Sequence, residues 1–163
     1  MSITKKTLFS RVIWTLVTLL FIGWIYSNSL QNGPQSTSVS EKVRDFLQTV
    51  YSSCFPKSDF TFSLHFVRKA AHFSEYALLG FLLHFTLKSY GLPWKQALFT
   101  AGGMLMLVAF SDESLQFLSA GRHPAVLDAC IDISGGVCGY AFAWCTALLI
   151  AKLIRKRAEC SRS

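Results

Sequence analysis

Four apolar blocks, at about 8–26, 64–87, 96–118 and 125–153, constrain this chain more than any other feature. Each is close to the roughly 20 residues that carry a helix across a bilayer. Inside a bilayer every backbone polar group must be satisfied within the protein, so blocks of this kind are helices unless they close a barrel. Of the 163 residues, 52% are hydrophobic and only 15% charged, whereas a soluble domain carries about 25% charged residues. The length suits one compact unit over residues 1–163 rather than several domains. The sequence therefore predicts an all-α fold, a four-helix transmembrane bundle.

The net charge of +7 does not point to nucleic acid. The basic residues flank the apolar blocks and form no continuous stripe that could track phosphates. Beside membrane spans, Lys and Arg set orientation and meet anionic lipid. Placing both termini in the cytoplasm puts ten of them inside (Lys5, Lys6, Arg11, Lys88, Lys95, Lys152, Arg155, Lys156, Arg157, Arg162). Six fall outside (Lys42, Arg44, Lys57, Arg68, Lys69, Arg122). That asymmetry is the one the positive-inside rule requires. Eight of the nine acids then lie on the outer side, Glu159 being the exception. The expected location is a membrane crossed several times, with the cytoplasm on the Lys- and Arg-rich side. The basic start and first apolar block lack an Ala-x-Ala-like cleavage site, so the first span is expected to be retained as a signal anchor.

Between the first two spans, residues 27–40 read as polar, with Asn32-Gly33-Pro34 as a turn or breaker. Residues 39–50 read as a short amphipathic helix in the first outer loop. Ser40 is a candidate cap, and Val43, Phe46, Leu47 and Val50 form an apolar stripe. Cys54-Phe55-Pro56 should end it. The loop at 88–95 is short, so the spans on either side of it must be antiparallel neighbours. The five cysteines show no CxxC or metal-type spacing and read as small packing residues.

With this topology, three polar groups land at one depth. Lys69, His72 and Tyr76 fall at i, i+3 and i+7 on the second span, with Glu75 three residues after His72. Asp112 and Gln116 are i, i+4 at the end of the third span, beside Glu113, and Asp128 and Asp132 repeat that spacing at the start of the fourth. Side chains at these spacings share a helix face. Asp128 and Asp132 continue at helical steps into Gly135 and Gly139, a small-residue seam that lets a neighbouring helix come close. The carboxylates of the fourth span should therefore face the other helices rather than lipid.

Ionisable groups within spans cost roughly 2.5–3.5 kcal/mol each at the bilayer centre, so this gathering needs a reason. One reading is structural, with ion pairs from Asp to Lys69 and Arg122, and from Glu75 to Arg68. A second is a binding or catalytic site, in which the basic groups take a phosphate and a carboxyl group or His72 moves protons. In that reading His72, Glu75, Asp112 and Glu113 are the catalytic candidates. Lys69, Gln116, Arg122, Asp128 and Asp132 are the ligand-binding ones. A divalent cation could sit among the oxygens, and their chemistry suits Mg or Ca better than Zn. None is required by the sequence. A proton or ion relay is the third reading. The inner halves of the spans offer it few polar groups: His84, Thr86, Thr100 and Thr146. Arg122 follows Gly121 in the loop before the fourth span. Its planar fork of donors would suit two-point contact with an anion, aided by the N-terminus of that span.

At these residues the chain resembles the VanZ-like family of small bacterial membrane proteins. The motifs are Tyr26-Ser27-Asn28-Ser29, Lys69-x-x-His72-Phe73-x-Glu75-Tyr76-x-x-Leu79-Gly80, Ser111-Asp112-Glu113-x-x-Gln116, Gly121-Arg122 and Asp128-x-x-x-Asp132-x-x-Gly135. Leu115 stands where the family pattern leads one to expect His, and Ala120 where it leads one to expect Pro. The resemblance implies an integral membrane protein of the cell envelope, linked through the family's founding member to resistance to the glycopeptide teicoplanin. It implies no settled reaction. Two classes of function stay open: a membrane enzyme acting on a phosphate-bearing lipid or glycan, and a non-catalytic protein that alters surface access of envelope ligands. The partners expected are membrane lipid and a lipid-linked envelope precursor or glycolipid, with no nucleic acid.

Overall fold

The computed structural model describes residues 5–121 and 126–160. Among them the regular structure is entirely helical: α1 (Lys5–Ser29), α2 (Gly33–Cys54), α3 (Leu64–Tyr90), α4 (Trp94–Leu118) and α5 (Val126–Cys160). By length and composition, α1, α4 and α5 can cross a membrane. Of the four blocks expected to cross, α3 is the one that falls short of this apolar measure. His72, Glu75 and His84 interrupt its apolar run. The physical reason is position. α3 packs against all four other helices and turns much of its surface to them, burying Val67, Tyr76, Leu79, Gly80, Leu82, Leu83, His84, Thr86 and Leu87. A helix wrapped by other helices does not need a uniformly apolar surface.

The other helices turn large apolar side chains outward. Leu8, Phe9 and Leu20 do so on α1, Phe99, Leu107 and Phe117 on α4, and Val137, Phe142 and Ile154 on α5. In water such a surface would be an aggregation hazard, and in lipid it is the matched solvent. Because lipid is as apolar as these side chains, close packing and interhelical polar contacts must hold the helices together. The packing centres on Ile25 of α1, Tyr76, Leu79 and Leu83 of α3, Leu105, Val108 and Ala109 of α4, and Ala129 of α5.

α3 and α5 run parallel along a glycine seam. A Cβ on Gly139 would lie 1.7 Å from the Ala77 carbonyl oxygen, and one on Gly135 would lie 2.3 Å from that of Phe73. From the other side, a Cβ on Gly80 would lie 1.9 Å from the Gly136 carbonyl oxygen. Only hydrogen fits at these places. α1 lies antiparallel to α3. The Thr18 and Thr86 hydroxyls meet at 2.8 Å, and Arg11 donates through Nε to the Ser89 carbonyl at 3.1 Å. Its guanidinium also stacks over Tyr90, so a cation covers the negative end of α3. The three-residue turn between α3 and α4 is closed by Gly91 in the left-handed region (φ 71°), and it makes α3 and α4 antiparallel as the short loop required.

α2 begins earlier than the apolar stripe suggested. Asn32, not Ser40, caps it, accepting the Gln35 N–H at 3.0 Å, and Pro34 stands in the first turn. The Asn-Gly-Pro that read as a breaker is a helix start, because Pro is favoured there and Asn is a strong cap. The Ser40 hydroxyl instead donates back to the Ser36 carbonyl at 2.9 Å. α2 ends at Cys54, as expected. It buries none of its residues, and Val39, Val43, Phe46, Leu47 and Val50 are all exposed. The cysteines are also corrected: Cys54, Cys130, Cys138 and Cys145 are free and exposed, so they face outward rather than filling gaps.

Candidate functional site

The polar groups gather where the first half of α3, the last turns of α4 and the first turns of α5 meet the α1–α2 junction. Backbone geometry builds this end. The Gly33 N–H donates to the Ala120 carbonyl at 3.0 Å, and a Cβ on Gly33 would lie 2.6 Å from the Gly121 oxygen. The Ser119 hydroxyl donates to the Ser29 carbonyl at 3.0 Å. Together these ties fix the start of α2 against the end of α4.

Within this frame Asp112 and Asp132 are wholly buried. Asp112 is held on both sides: Oδ1 accepts the Ser29 hydroxyl at 2.5 Å, and Oδ2 accepts Gln116 Nε2 at 3.3 Å. Neither carboxylate oxygen of Asp132 has a hydrogen-bond donor among the described residues. His72 Nδ1 stands 3.5 Å from Asp132 Oδ1, too far for a strong hydrogen bond. The Tyr76 hydroxyl, one turn along α3 from His72, is buried and likewise has no hydrogen-bond partner among the described residues. Nearer the surface, Lys69 pairs with Asp128.

Two cavities adjoin these groups. One, of about 160 Å³, is lined by Thr37, Arg68, Lys69, His72, Gln116 and Asp128 among others. The second, of about 190 Å³, is lined by Asn28, Ser29, Gln31, Arg68, His72 and Glu75 among others. Either is well above the ~10–15 Å³ one water needs. Arg68 and His72 line both and so stand between them.

The structure thus brings together Lys69, His72, Glu75, Asp112, Gln116, Asp128 and Asp132. Glu75 accepts from Asn28 Nδ2 at 3.4 Å and not from Arg68, so the expected Glu75–Arg68 ion pair is replaced. Arg68 donates through Nη2 to the Thr37 hydroxyl at 3.1 Å, and its buried Nε has no partner among the described residues. Glu113 is buried on α4 beside Asp112 but lines neither cavity. Arg122 lies outside the described residues, and the anion fork expected of it goes with it.

Arg68 is the residue the sequence reading undervalued. In the sequence it reads as an ion-pair partner of Glu75, although its i, i+4 relation to His72 places both on one face. Ser29 and Thr37 were also missed, because hydroxyls at helix ends carry no signal until the fold shows what they touch.

A family model described as VanZ/LLP1 matches residues 8–150. The chain belongs to the VanZ/LLP1 family. The match runs from the start of α1 into the second half of α5, so every residue of the polar site lies inside it. No curated protein and no solved structure matches the chain. Family membership and the three apolar helices make this a membrane protein. A VanZ/LLP1 membrane protein with a buried polar end is the frame within which function must be read.

Proposed function

We propose that this VanZ/LLP1 protein is a multi-pass protein of the bacterial cytoplasmic membrane whose polar end, on the outer face, receives a phosphate-bearing lipid or glycan of the cell envelope. In this reading α1, α3, α4 and α5 form the transmembrane bundle, both termini lie in the cytoplasm, and α2 rests at the outer interface. The observation that carries it is the cavity beside Arg68, Lys69 and His72. Two cations and an imidazole beside a phosphate-sized space suit an anionic head group, and Arg offers the two-point contact that phosphate accepts. Acid–base work would fall to His72 and the buried carboxylates, Asp112 first because Ser29 and Gln116 hold its orientation. The family resemblance supplies the link to glycopeptide resistance.

A non-catalytic reading is favoured by a specific observation: Lys69 is already paired with Asp128. Internal pairing of that kind would fasten α3 to α5, and the protein would then act by changing surface access of envelope ligands. Comparing envelope lipids of cells carrying the unaltered protein, Asp112→Asn and Arg68→Ala separates the two. Altered lipids at equal protein levels support turnover. Unchanged lipids with changed glycopeptide binding at the cell surface support the binding role.

A further inference from the structure

We infer that His72, Asp112 and Asp132 form a binding site for a first-row divalent cation, Zn²⁺ or Mn²⁺. One ligand atom from each of the three residues lies within 4.8 Å of the other two. They come from three helices, α3, α4 and α5, so their convergence is a property of the packing and not of one turn of chain. The independent observation is Asp132. It is wholly buried, yet neither of its oxygens accepts a hydrogen bond among the described residues, and its ion-pair contact, His72 Nδ1 at 3.5 Å, is itself a member of the triad. A buried carboxylate left without hydrogen bonds is costly and is normally paired or bound to metal. Lys69, one turn before His72 on α3, is taken up by Asp128, one turn before Asp132 on α5. His72 Nδ1 also has no hydrogen-bond partner among the described residues and sits 3.5 Å from Asp132 Oδ1. One ligand atom from each of three helices therefore falls within one small volume.

The charges close with a dication. Two carboxylates balance it, and a neutral imidazole adds a ligand without adding charge. Asp112 has the support that metal ligands usually receive from their neighbours, through Ser29 and Gln116. An imidazole in the set moves the preference away from Mg²⁺ and Ca²⁺, which favour all-oxygen surroundings, toward Zn²⁺ or Mn²⁺. Three protein ligands leave a position open, and the cavity lined by His72 and Gln116 lies beside it. Zn²⁺ sites that do chemistry keep such an open position. The site overlaps the proposed anion cavity, and a bound ion would engage His72 and Asp112 as ligands in place of the acid–base role proposed for them; cation binding itself does not depend on what that cavity receives.

The test uses the full-length protein in detergent or nanodiscs, stripped with chelator and titrated with Zn²⁺ alone, then with Co²⁺ as a spectroscopic stand-in. One equivalent should bind, and Co²⁺ should give visible d–d bands. Asp132→Asn and His72→Gln should each lower the affinity at least tenfold and abolish those bands. Glu75→Gln, close by but outside the triad, should leave them intact. Folding is followed by size-exclusion profile and helical circular dichroism. A variant that fails there is replaced by Asp112→Asn. No binding to the unaltered protein would overturn the site, as would binding that survives all three triad substitutions. Either result would leave the envelope reading standing, since that rests on the lipid comparison.

Discussion

Gly139 and Asp132 sit on the same face of α5 and do opposite things there. At Gly139 a methyl group would collide with backbone, the Ala77 carbonyl at 1.7 Å, and backbone cannot rotate away as a side chain can. Gly139→Ala is expected to push α3 from α5 and cost about 1–3 kcal/mol, read as a lower melting temperature in detergent. Gly102→Ala has nothing within 4 Å, so it should be neutral or gain up to about 1 kcal/mol from helix propensity. Equal effects at the two positions would contradict the seam. The Lys69–Asp128 pair gives a second prediction. Its side chains are 22% and 27% exposed, so removing either leaves a partly buried charge alone. Lys69→Ala and Asp128→Ala should each destabilise, and the double variant should cost less than their sum by on the order of 1 kcal/mol. The inward aim of Asp132 was legible in the sequence, because Asp128, Asp132, Gly135 and Gly139 recur at helical steps. The environment of Arg68 was not. A cation beside an acid reads as an ion pair until the fold shows Asn28 at Glu75 and Thr37 at Arg68.

α2 and α3 are the elements where pattern and structure diverge, each for a physical reason. The stripe in α2 marked the apolar residues but not where the helix begins, since the cap and Pro34 set the start seven residues before Ser40 became a candidate. Its apolar side chains are exposed, and an amphipathic helix of this kind lies in the interface plane. With Trp14, Trp24, Trp94 and Trp144 replaced by Phe, Phe46→Trp should therefore give blue-shifted emission in vesicles that brominated lipids quench. Emission unchanged between vesicles and mild detergent, without quenching, would detach α2 from the bilayer. α3 carries the polar motif at the cost of its apolar character, and its centrality explains how both fit in one helix. Thr18 and Thr86, meeting at 2.8 Å, are part of its hold on α1. Thr86→Val should weaken that hold by about 0.6 kcal/mol, the average for such contacts in membrane proteins. Thermal unfolding in detergent would read it, with Thr100→Val as the lipid-side comparison, since Thr100 is exposed.

For the whole molecule, all-helical architecture, the antiparallel α3–α4 turn and family membership were legible from block lengths, one short loop and ordered motifs. The parallel contact of α3 with α5 was visible only as a weak GxxxG signal, because helix pairing in lipid is decided by shape rather than by hydrophobicity. Orientation in the membrane rests on the Lys and Arg asymmetry, and the proposed envelope role stands on it: a polar end turned to the cytoplasm would meet different ligands. Thr37 lines the cavity beside Arg68, and Lys95 lies at the opposite end, in the first turn of α4. In a cysteine-free background, Thr37→Cys and Lys95→Cys can be treated in intact cells with a membrane-impermeant maleimide. Labelling of Thr37→Cys without lysis, and of Lys95→Cys only after permeabilisation, is the predicted result. The reverse pattern would place the polar site in the cytoplasm and contradict the account.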